Sequence, residues 1–169
     1  PPYFDPLALR RELTAIFKAS ESAEAARPAI VERLKALLEA AHSAAHAQLL
    51  RDGKGRRCAE GLSDFQDALI SLVFDYTRAH IYRSNNPADT ERLAIVATGG
   101  YGRGLMAPGS DIDLLFLLPY KQTPWGESVV EYILYILWDL RLKVGHATRT
   151  VDQCVQLAKA DVTICTTLL

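Results

Sequence analysis

Residues 99–118 read GGYGRGLMAPGSDIDLLFLL, and this stretch decides the fold more clearly than any other part of the chain. It joins a glycine-rich turn to a Gly-Ser pair, two aspartates and an apolar run. A short run that is apolar throughout is typical of a central strand buried on both faces. Alternate side chains of a strand share a face, so Asp111 and Asp113 are expected to point the same way, with Cα atoms about 6.5 Å apart.

The two carboxylates and the glycine turn together predict a site for a nucleoside triphosphate and a divalent metal ion. Asp111 and Asp113 supply the oxygen ligands that magnesium favours beside phosphate oxygens. The glycines leave backbone amides exposed to hold phosphates, a serine hydroxyl precedes the first carboxylate, and an arginine adds positive charge. The predicted nucleotide-binding residues are Gly99, Gly100, Arg103 and Ser110.

Two other phosphate-binding patterns do not fit this turn. A Walker A loop needs Gly-Lys followed by Ser or Thr, and no such sequence follows the glycines. A dinucleotide-binding turn needs a full helix before the next strand, and the strand expected at 111–118 begins too soon. Each half of the motif is weak evidence by itself, whereas the two in succession indicate catalysis on a nucleotide.

Composition limits the class of protein. With 169 residues and 49% hydrophobic residues, the chain is long enough for one well-packed domain and an additional helical lobe. A formal net charge of −1 gives no field that would gather nucleic acid. The longest apolar run, 132–138, is too short to cross a membrane. Three cysteines without CxxC spacing favour a reducing, cytoplasmic location, and the absence of an initial methionine suggests a piece of a longer protein.

The first half of the chain is predicted to be a helical lobe, residues 1–87. Apolar spacing predicts helices over 6–18, 28–50 and 63–82, with Pro28 in a first turn and Ser63 as an N-cap. The Gly- and Arg-containing stretch 51–57 is expected to be an exposed, mobile loop. Ser-Asn-Asn-Pro at 84–87 marks the expected end of the lobe.

The second half, residues 88–169, is predicted to be a compact core of alternating strands and helices. Strands are expected over 92–98, 111–118 and 144–150, and helices over 124–142 and from 151 onward. Thr150 and Gln153 form a capping-box pattern for the last helix. The expected fold is therefore α/β (α+β), a small mixed sheet packed by helices behind an N-terminal helical lobe.

The motif resembles the signature of the polymerase-β-type nucleotidyltransferases. More closely, ATGGYGRGLMAPGSDIDLLFLLP followed by LWDLRLKVGHATRTVDQC resembles the N-terminal domain of the bacterial PII uridylyltransferase/uridylyl-removing enzymes. The resemblance implies transfer of UMP from UTP to a tyrosine hydroxyl of the PII nitrogen-signalling protein, with magnesium or manganese. It also implies that Asp111 and Asp113 are metal ligands and that the turn glycines and Ser110 contact phosphate.

The superfamily's usual third carboxylate lies on a later strand and can act as a base. Asp152 is the residue expected in that catalytic role, although a helix-capping role is an equal alternative. Asp161 is a poorer candidate because it is expected in the middle of a helix. His146 and Arg149 are expected on opposite faces of their strand, and either could line the nucleotide pocket.

Two other functions remain open from the sequence. One is an adenylyltransferase of the same superfamily acting on a protein or small molecule, because no residue distinguishes uracil from adenine. The other is a catalytically inert nucleotide-binding module. The uridylyl-removing activity is assigned in the family to a hydrolase domain with adjacent His-Asp, and this chain contains no His-Asp dipeptide.

Overall fold

A computed structural model of the chain describes residues 3–83 and 92–167. Within these ranges the protein has seven α-helices and one three-stranded mixed sheet, which confirms the predicted fold class. The chain order is α1 (Pro6–Ala19), α2 (Ala23–Asp52), α3 (Gly55–Tyr76), β1 (Ala94–Ala97), α4 (Gly99–Gly102), β2 (Ile112–Leu118), α5 (Pro124–Asp139), β3 (Val144–Thr150), α6 (Val151–Ala160) and α7 (Val162–Thr167).

The three long helices form the helical lobe. Asp5 caps α1 by accepting hydrogen bonds from the amides of Leu7 and Ala8, and Ser22 caps α2 in the same manner. A left-handed Gly53 ends α2, so that α3 turns back and packs along it. Residues Thr77–Ile81 continue α3 as a π-helical turn. The apolar faces of the three helices meet in a core that includes Leu13, Leu34, Phe65 and Leu69.

Strand β2 is the centre of the sheet. It pairs antiparallel with β1, where Val96 lies opposite Leu115. It pairs parallel with β3, where Asp113 lies opposite Gly145. Helix α5 makes the crossover that a parallel pair requires, and Thr123 caps its first turn.

The two faces of the sheet have different surroundings. The side chains of Ile112, Leu114, Phe116 and Leu118 point toward α3 and α5 and are at most 3% exposed. The opposite face begins at Asp113, and its residues on β1 are open, with Val96 37% exposed. One face therefore belongs to the hydrophobic core, while the other borders a cleft.

Several contacts join the helical lobe to helix α5 and to the core beneath the sheet. Arg27 of α2 forms an ion pair with Asp139 of α5 at 2.7 Å, and the Trp125 indole donates to the Tyr82 carbonyl. Buried side chains of α1–α3, β2 and α5 form one continuous hydrophobic cluster. The lobe boundary predicted at 87/88 falls outside the described residues.

Helix and strand ends differ from the sequence-based expectations. Helix α2 begins at Ala23, five residues before Pro28, because Ser22 supplies the N-cap. Pro28 therefore lies inside the helix, and its predicted place in a first turn is wrong. Residues 55–57, expected in a loop, open α3, which begins well before Ser63, so the expected loop shortens to a break at Gly53 and Lys54. Strand β1 is shorter than predicted, and β2 begins one residue later.

The C-terminal segment also differs, whereas β3 is confirmed at 144–150. Helix α5 ends at Asp139, before the predicted residue 142. The last predicted helix is two helices, since Asp161 ends α6 and its carboxylate accepts from the Thr163 amide at the start of α7. The mid-helix placement of Asp161 is therefore wrong. None of the helices in the described ranges combines the length and apolar character needed to cross a bilayer.

Candidate active site

The glycine turn follows directly from strand β1. Antiparallel pairing extends one step beyond the strand, because the Thr98 amide donates to the Asp113 carbonyl at 3.0 Å. Gly99 then takes φ +62°, a left-handed angle that side-chain-bearing residues rarely adopt, and begins the short helix α4. This change of direction places the turn beside the start of β2.

The Asp113 carboxylate lies between two glycines. A Cβ atom added to Gly99 would lie 2.7 Å from Asp113 Oδ2, and one added to Gly145 would lie 2.5 Å from Oδ1. Both distances are shorter than real Cβ contacts allow, so any side chain at either position would displace the carboxylate. The absence of side chains on both sides creates the space that Asp113 occupies.

The other predicted site residues surround the same end of the sheet. Asp111 is exposed and immediately precedes β2, so the strand register does not fix its side chain as it fixes that of Asp113. Ser110 is exposed and closes a turn by donating its amide to the Ala107 carbonyl at 3.1 Å. Arg103 lies over the glycine turn, with Nη2 3.8 Å from the position of a Cβ on Gly100.

Within the part of the chain that the structure describes, no hydrogen bond or ion pair of the protein occupies the side chains of Asp111, Asp113 or Arg103. Charged groups that serve stability are normally paired when they are partly buried, and Asp113 is half-buried. Two carboxylates and a guanidinium at one sheet edge, unpaired among the described residues, are suited to bind a charged ligand and its counterion.

A cavity of about 320 Å³ opens from Asp113 along the sheet face. Leu115 and Ala147 form part of its apolar floor, Ile164 of α7 borders it, and Arg149 of β3 contributes a cationic group. His146 borders the same cavity, but the alternation of β3 turns it toward the other face, beside Trp138 of α5. Of the two residues predicted to line the pocket, Arg149 therefore lies on the same sheet face as Asp113, and His146 lies on the other face.

Strand register separates Asp152 from this site. Gly145 lies opposite Asp113, whereas Thr150 lies opposite Leu118 at the far end of the parallel pair. Five residues of strand cover about 16 Å, and Asp152 lies still further on, in the first turn of α6. The structure does not bring Asp152 together with Asp113, and its exposed position near the capping box of Thr150 and Gln153 favours the helix-terminal role.

Helix α3 supports the loop that carries the turn. The Tyr101 hydroxyl donates to Asp67 Oδ1 at 2.6 Å, and the Met106 amide donates to the Ser63 hydroxyl at 3.1 Å. Burial, then the hydrogen bond with Asp67, raises the pKa of Tyr101, so the phenol remains a neutral donor. The helical lobe therefore helps to fix the geometry of the turn.

The donor set at this edge suits magnesium better than zinc. Magnesium is commonly held by one or two carboxylates together with substrate phosphates and waters. Asp111 and Asp113 meet the first requirement, and the turn of Gly99–Gly102 leaves room for phosphates beside them. In the described ranges there is no group of three or more His, Cys, Asp and Glu side chains that could hold a metal ion without a substrate.

Three residues that shape the site were not predicted as site residues from the sequence: Gly145, Asp67 and Ser63, the last of which was expected only as a helix N-cap. Gly145 has a recognisable signal, since glycine inside a strand often marks a close approach of another group. Asp67 and Ser63 carry no such signal, because their roles depend on how α3 packs against a distant loop. The residues of the glycine turn were predicted from their spacing. The α3 residues that hydrogen-bond to the turn and its loop could not be, because those contacts depend on tertiary structure.

A second cavity of about 320 Å³ lies in the helical lobe, away from the turn. Some of its polar groups already have partners, since Arg10 is paired with Asp75 and Thr14 is hydrogen-bonded to His80. In the described part of the chain, the buried Tyr76 hydroxyl and His80 Nδ1 have no hydrogen-bond partner. Burial lowers the pKa of His80, assisted by Arg83 and Lys18. The described lining of this cavity includes no residue of the glycine turn and neither Asp111 nor Asp113, so it is not the candidate active site.

Comparison with known proteins agrees with this geometry. The family model described as "Nucleotidyltransferase domain" matches residues 81–167, which include the turn, the sheet and both aspartates. The chain belongs to the nucleotidyltransferase-domain family. This nucleotidyltransferase domain is also similar to bacterial proteins named "Bifunctional uridylyltransferase/uridylyl-removing enzyme", which confirms the resemblance stated from the motif.

Three of these relatives show the extent of the similarity. The domain is 54% identical to the Rhodopseudomonas palustris protein over 98% of its length, and 54% identical to one from a Bradyrhizobium species over 99%. It is 58% identical to the Nitrobacter hamburgensis protein over 85% of its length. The chain covers 18%, 18% and 15% of these relatives, respectively. No solved structure gives a significant match.

Proposed function

We propose that this nucleotidyltransferase domain transfers UMP from UTP to a tyrosine hydroxyl of the PII nitrogen-regulatory protein, with a divalent metal ion. The observation that carries the proposal is the half-buried Asp113 carboxylate, which lies between two glycines at the mouth of a cleft and has no side-chain partner among residues 3–83 and 92–167. The relatives are named uridylyltransferases, which supports UTP as the nucleotide. The PII target rests on the resemblance of the motif.

In this proposal Asp111 and Asp113 hold magnesium, and manganese can replace it. When bound, the ion neutralises charge on the triphosphate and polarises the α-phosphate. Backbone amides at Gly99 and Gly100 orient the β- and γ-phosphates, assisted by the Arg103 guanidinium and the Ser110 hydroxyl. These groups keep the α-phosphorus in line with the attacking oxygen, and such positioning supplies much of the catalysis in phosphoryl-group chemistry.

The bonds exchanged in the reaction are defined by its substrates. The acceptor tyrosine oxygen forms a bond to the α-phosphorus, and the bond from that phosphorus to the bridging oxygen of the β-phosphate breaks. Pyrophosphate leaves, and the hydroxyl proton passes to solvent at the open side of the site. Asp152 is not assigned the role of base, because the register places it beyond the far end of the strand pair.

Labelling with α-³²P-UTP tests the function. The chain is incubated with purified PII, magnesium and labelled UTP, beside parallel reactions with labelled ATP and with a PII variant that lacks the acceptor tyrosine. We expect label on PII from UTP alone, and none on the tyrosine-free variant. Preferential transfer from ATP would indicate an adenylyltransferase, and tight binding of Mg²⁺–UTP without any transfer would indicate a nucleotide-binding module.

A further inference from the structure

Arg149 is a cationic residue of the cleft that the proposed chemistry does not use. It lies on β3, on the same sheet face as Asp113, and it lines the same cavity. The residue is half-buried, and within residues 3–83 and 92–167 its guanidinium forms no ion pair or hydrogen bond with another side chain. Its position on the open cleft leaves this guanidinium available to donate hydrogen bonds to a bound ligand.

The position of Arg149 fits the nucleoside better than the phosphates. The glycine turn lies on the β1 side of Asp113, and Arg149 lies on the β3 side, four strand residues beyond Gly145. Those four residues cover about 13 Å. The phosphate-binding groups and Arg149 are therefore at opposite ends of the cleft, as the phosphates and the base are at opposite ends of a nucleotide.

The surface between these two ends is apolar. Leu115 and Ala147 form the floor, and Ile164 of α7 stands beside it. A flat aromatic base packs favourably on such a surface, while its polar edge still requires hydrogen-bond partners. Arg149 is the cationic side chain at the end of this floor, and a guanidinium offers donors only, in a planar fork.

We propose that Arg149 is the residue that selects uracil, by donating hydrogen bonds to a carbonyl oxygen of the base held on the Leu115–Ala147 floor. This inference rests on the proposed function and adds the basis of its nucleotide choice. Uracil presents two carbonyl oxygens to such a donor. Adenine has no carbonyl oxygen: its acceptors are ring nitrogens, and N1 and N7 each lie beside the donating 6-amino group, so a guanidinium placed for a carbonyl oxygen fits this base edge less well.

Isothermal titration of magnesium nucleotides tests the assignment. UTP, ATP and inorganic tripolyphosphate are each titrated into the wild-type chain and into R149Q, R149K, D113N and K159Q. Lys159 is an exposed cation in the last turn of α6 and controls for the loss of one positive charge. Thermal unfolding of each variant shows whether the fold is retained.

The expected result in R149Q is a loss of affinity for UTP alone. R149Q weakens UTP binding about tenfold to a hundredfold, as expected for a charge-assisted hydrogen bond, with less than threefold effect on ATP or tripolyphosphate. R149K recovers part of the UTP affinity because it restores a donor without the fork. K159Q binds all three ligands like the wild type, whereas D113N weakens all three.

The other outcomes distinguish a failure of the Arg149 assignment from a failure of the proposed function. Equal weakening of UTP, ATP and tripolyphosphate in R149Q would place Arg149 on the phosphates and overturn the inference, and so would unchanged UTP binding in R149Q. In either case the metal role of Asp113 stands if D113N still weakens every ligand. If the wild type binds no nucleotide, or D113N binds nucleotides as the wild type does, the proposed function itself fails.

Discussion

Strand β2 carries two unlike faces on one short segment. On the core face, Phe116 and Leu114 are at most 3% exposed and belong to the hydrophobic cluster that includes buried residues of α3 and α5. On the cleft face, the Asp113 carboxylate lies between two glycines and forms no hydrogen bond or ion pair with any residue that the structure describes. The first face contributes to folding stability, whereas the second contains a charged group that the fold does not need. Substitutions on the two faces should therefore separate stability from catalysis.

The largest effect is expected for Asp113→Asn. The change keeps the size of the side chain but removes a metal-binding charge, so PII labelling from UTP should fall about a thousandfold or more. Urea unfolding should change by less than about 1 kcal/mol, because no hydrogen bond or ion pair of the fold is lost. A variant that labels PII at the wild-type rate would remove the metal role of Asp113.

Phe116→Ala makes the opposite change on the core face. Phe116 is 0% exposed, and its truncation leaves a cavity beneath the sheet. Loss of a buried phenylalanine costs about 3–5 kcal/mol, which urea denaturation measures directly. The fraction that remains folded should still bind Mg²⁺–UTP; a loss of affinity in that fraction would show that the two faces are not independent.

Gly145→Ala tests the approach of β3 to Asp113. The added Cβ would lie 2.5 Å from Asp113 Oδ1, and the end of that side chain can move aside. Displacement of a reacting group by a fraction of an ångström to 1 Å can lower turnover about a hundredfold, so kcat should fall far more than stability. Gly55→Ala is the matched control, because nothing lies within 4 Å of its added Cβ; an equal loss of turnover in both would contradict this explanation.

Tyr101→Phe removes the hydrogen bond between the turn and Asp67. A loss of about 1 kcal/mol in unfolding free energy is expected near neutral pH. Because burial raises the pKa of Tyr101, the wild type is stabilised by the neutral phenol below about pH 10 and loses that contribution as the pH rises further. Urea titrations should show that the difference in unfolding free energy between the two proteins becomes smaller above pH 10. A difference that stays constant with pH would argue against the raised pKa of Tyr101.

The smallest effect is expected for Asp152→Asn. This exposed residue lies in the first turn of α6, where the loss of a negative charge costs about 0.3–1 kcal/mol. Labelling of PII should stay within about twofold of the wild type, since the register places this carboxylate at the far end of the sheet. A loss comparable to that of Asp113→Asn would show that Asp152 reaches the nucleotide and would restore its predicted catalytic role.

The sequence was sufficient for the parts of the fold that depend on local pattern. The apolar run after Asp113 predicted the central strand, and β3 and its capping box were predicted at the correct residues. The predicted starts of α2 and α3 were too late in the chain. Helix α2 begins after the Ser22 N-cap and not at Pro28, and α3 begins at Gly55 without a side-chain cap hydrogen bond that the sequence could reveal.

The site was predictable only in part, because some of its features depend on strand pairing. The glycine turn and Asp113 follow from spacing along the chain. Whether a third carboxylate comes near Asp113 depends on the register of β2 with β3, and that register instead brings Gly145 alongside. The support of the turn by α3 depends on long-range contacts such as the one between Asp67 and Tyr101, which no local pattern records.

Binding of Mn²⁺ in the presence of a non-hydrolysable UTP analogue tests the central claim most directly, because manganese can be followed by electron paramagnetic resonance in place of magnesium. The wild-type chain should immobilise Mn²⁺ only when the analogue is present, since two carboxylates need phosphate oxygens to complete the ligand set. Asp113→Asn should leave most of the ion and the analogue free in solution. Equal immobilisation by the two proteins would contradict the assignment of Asp113 as a metal ligand.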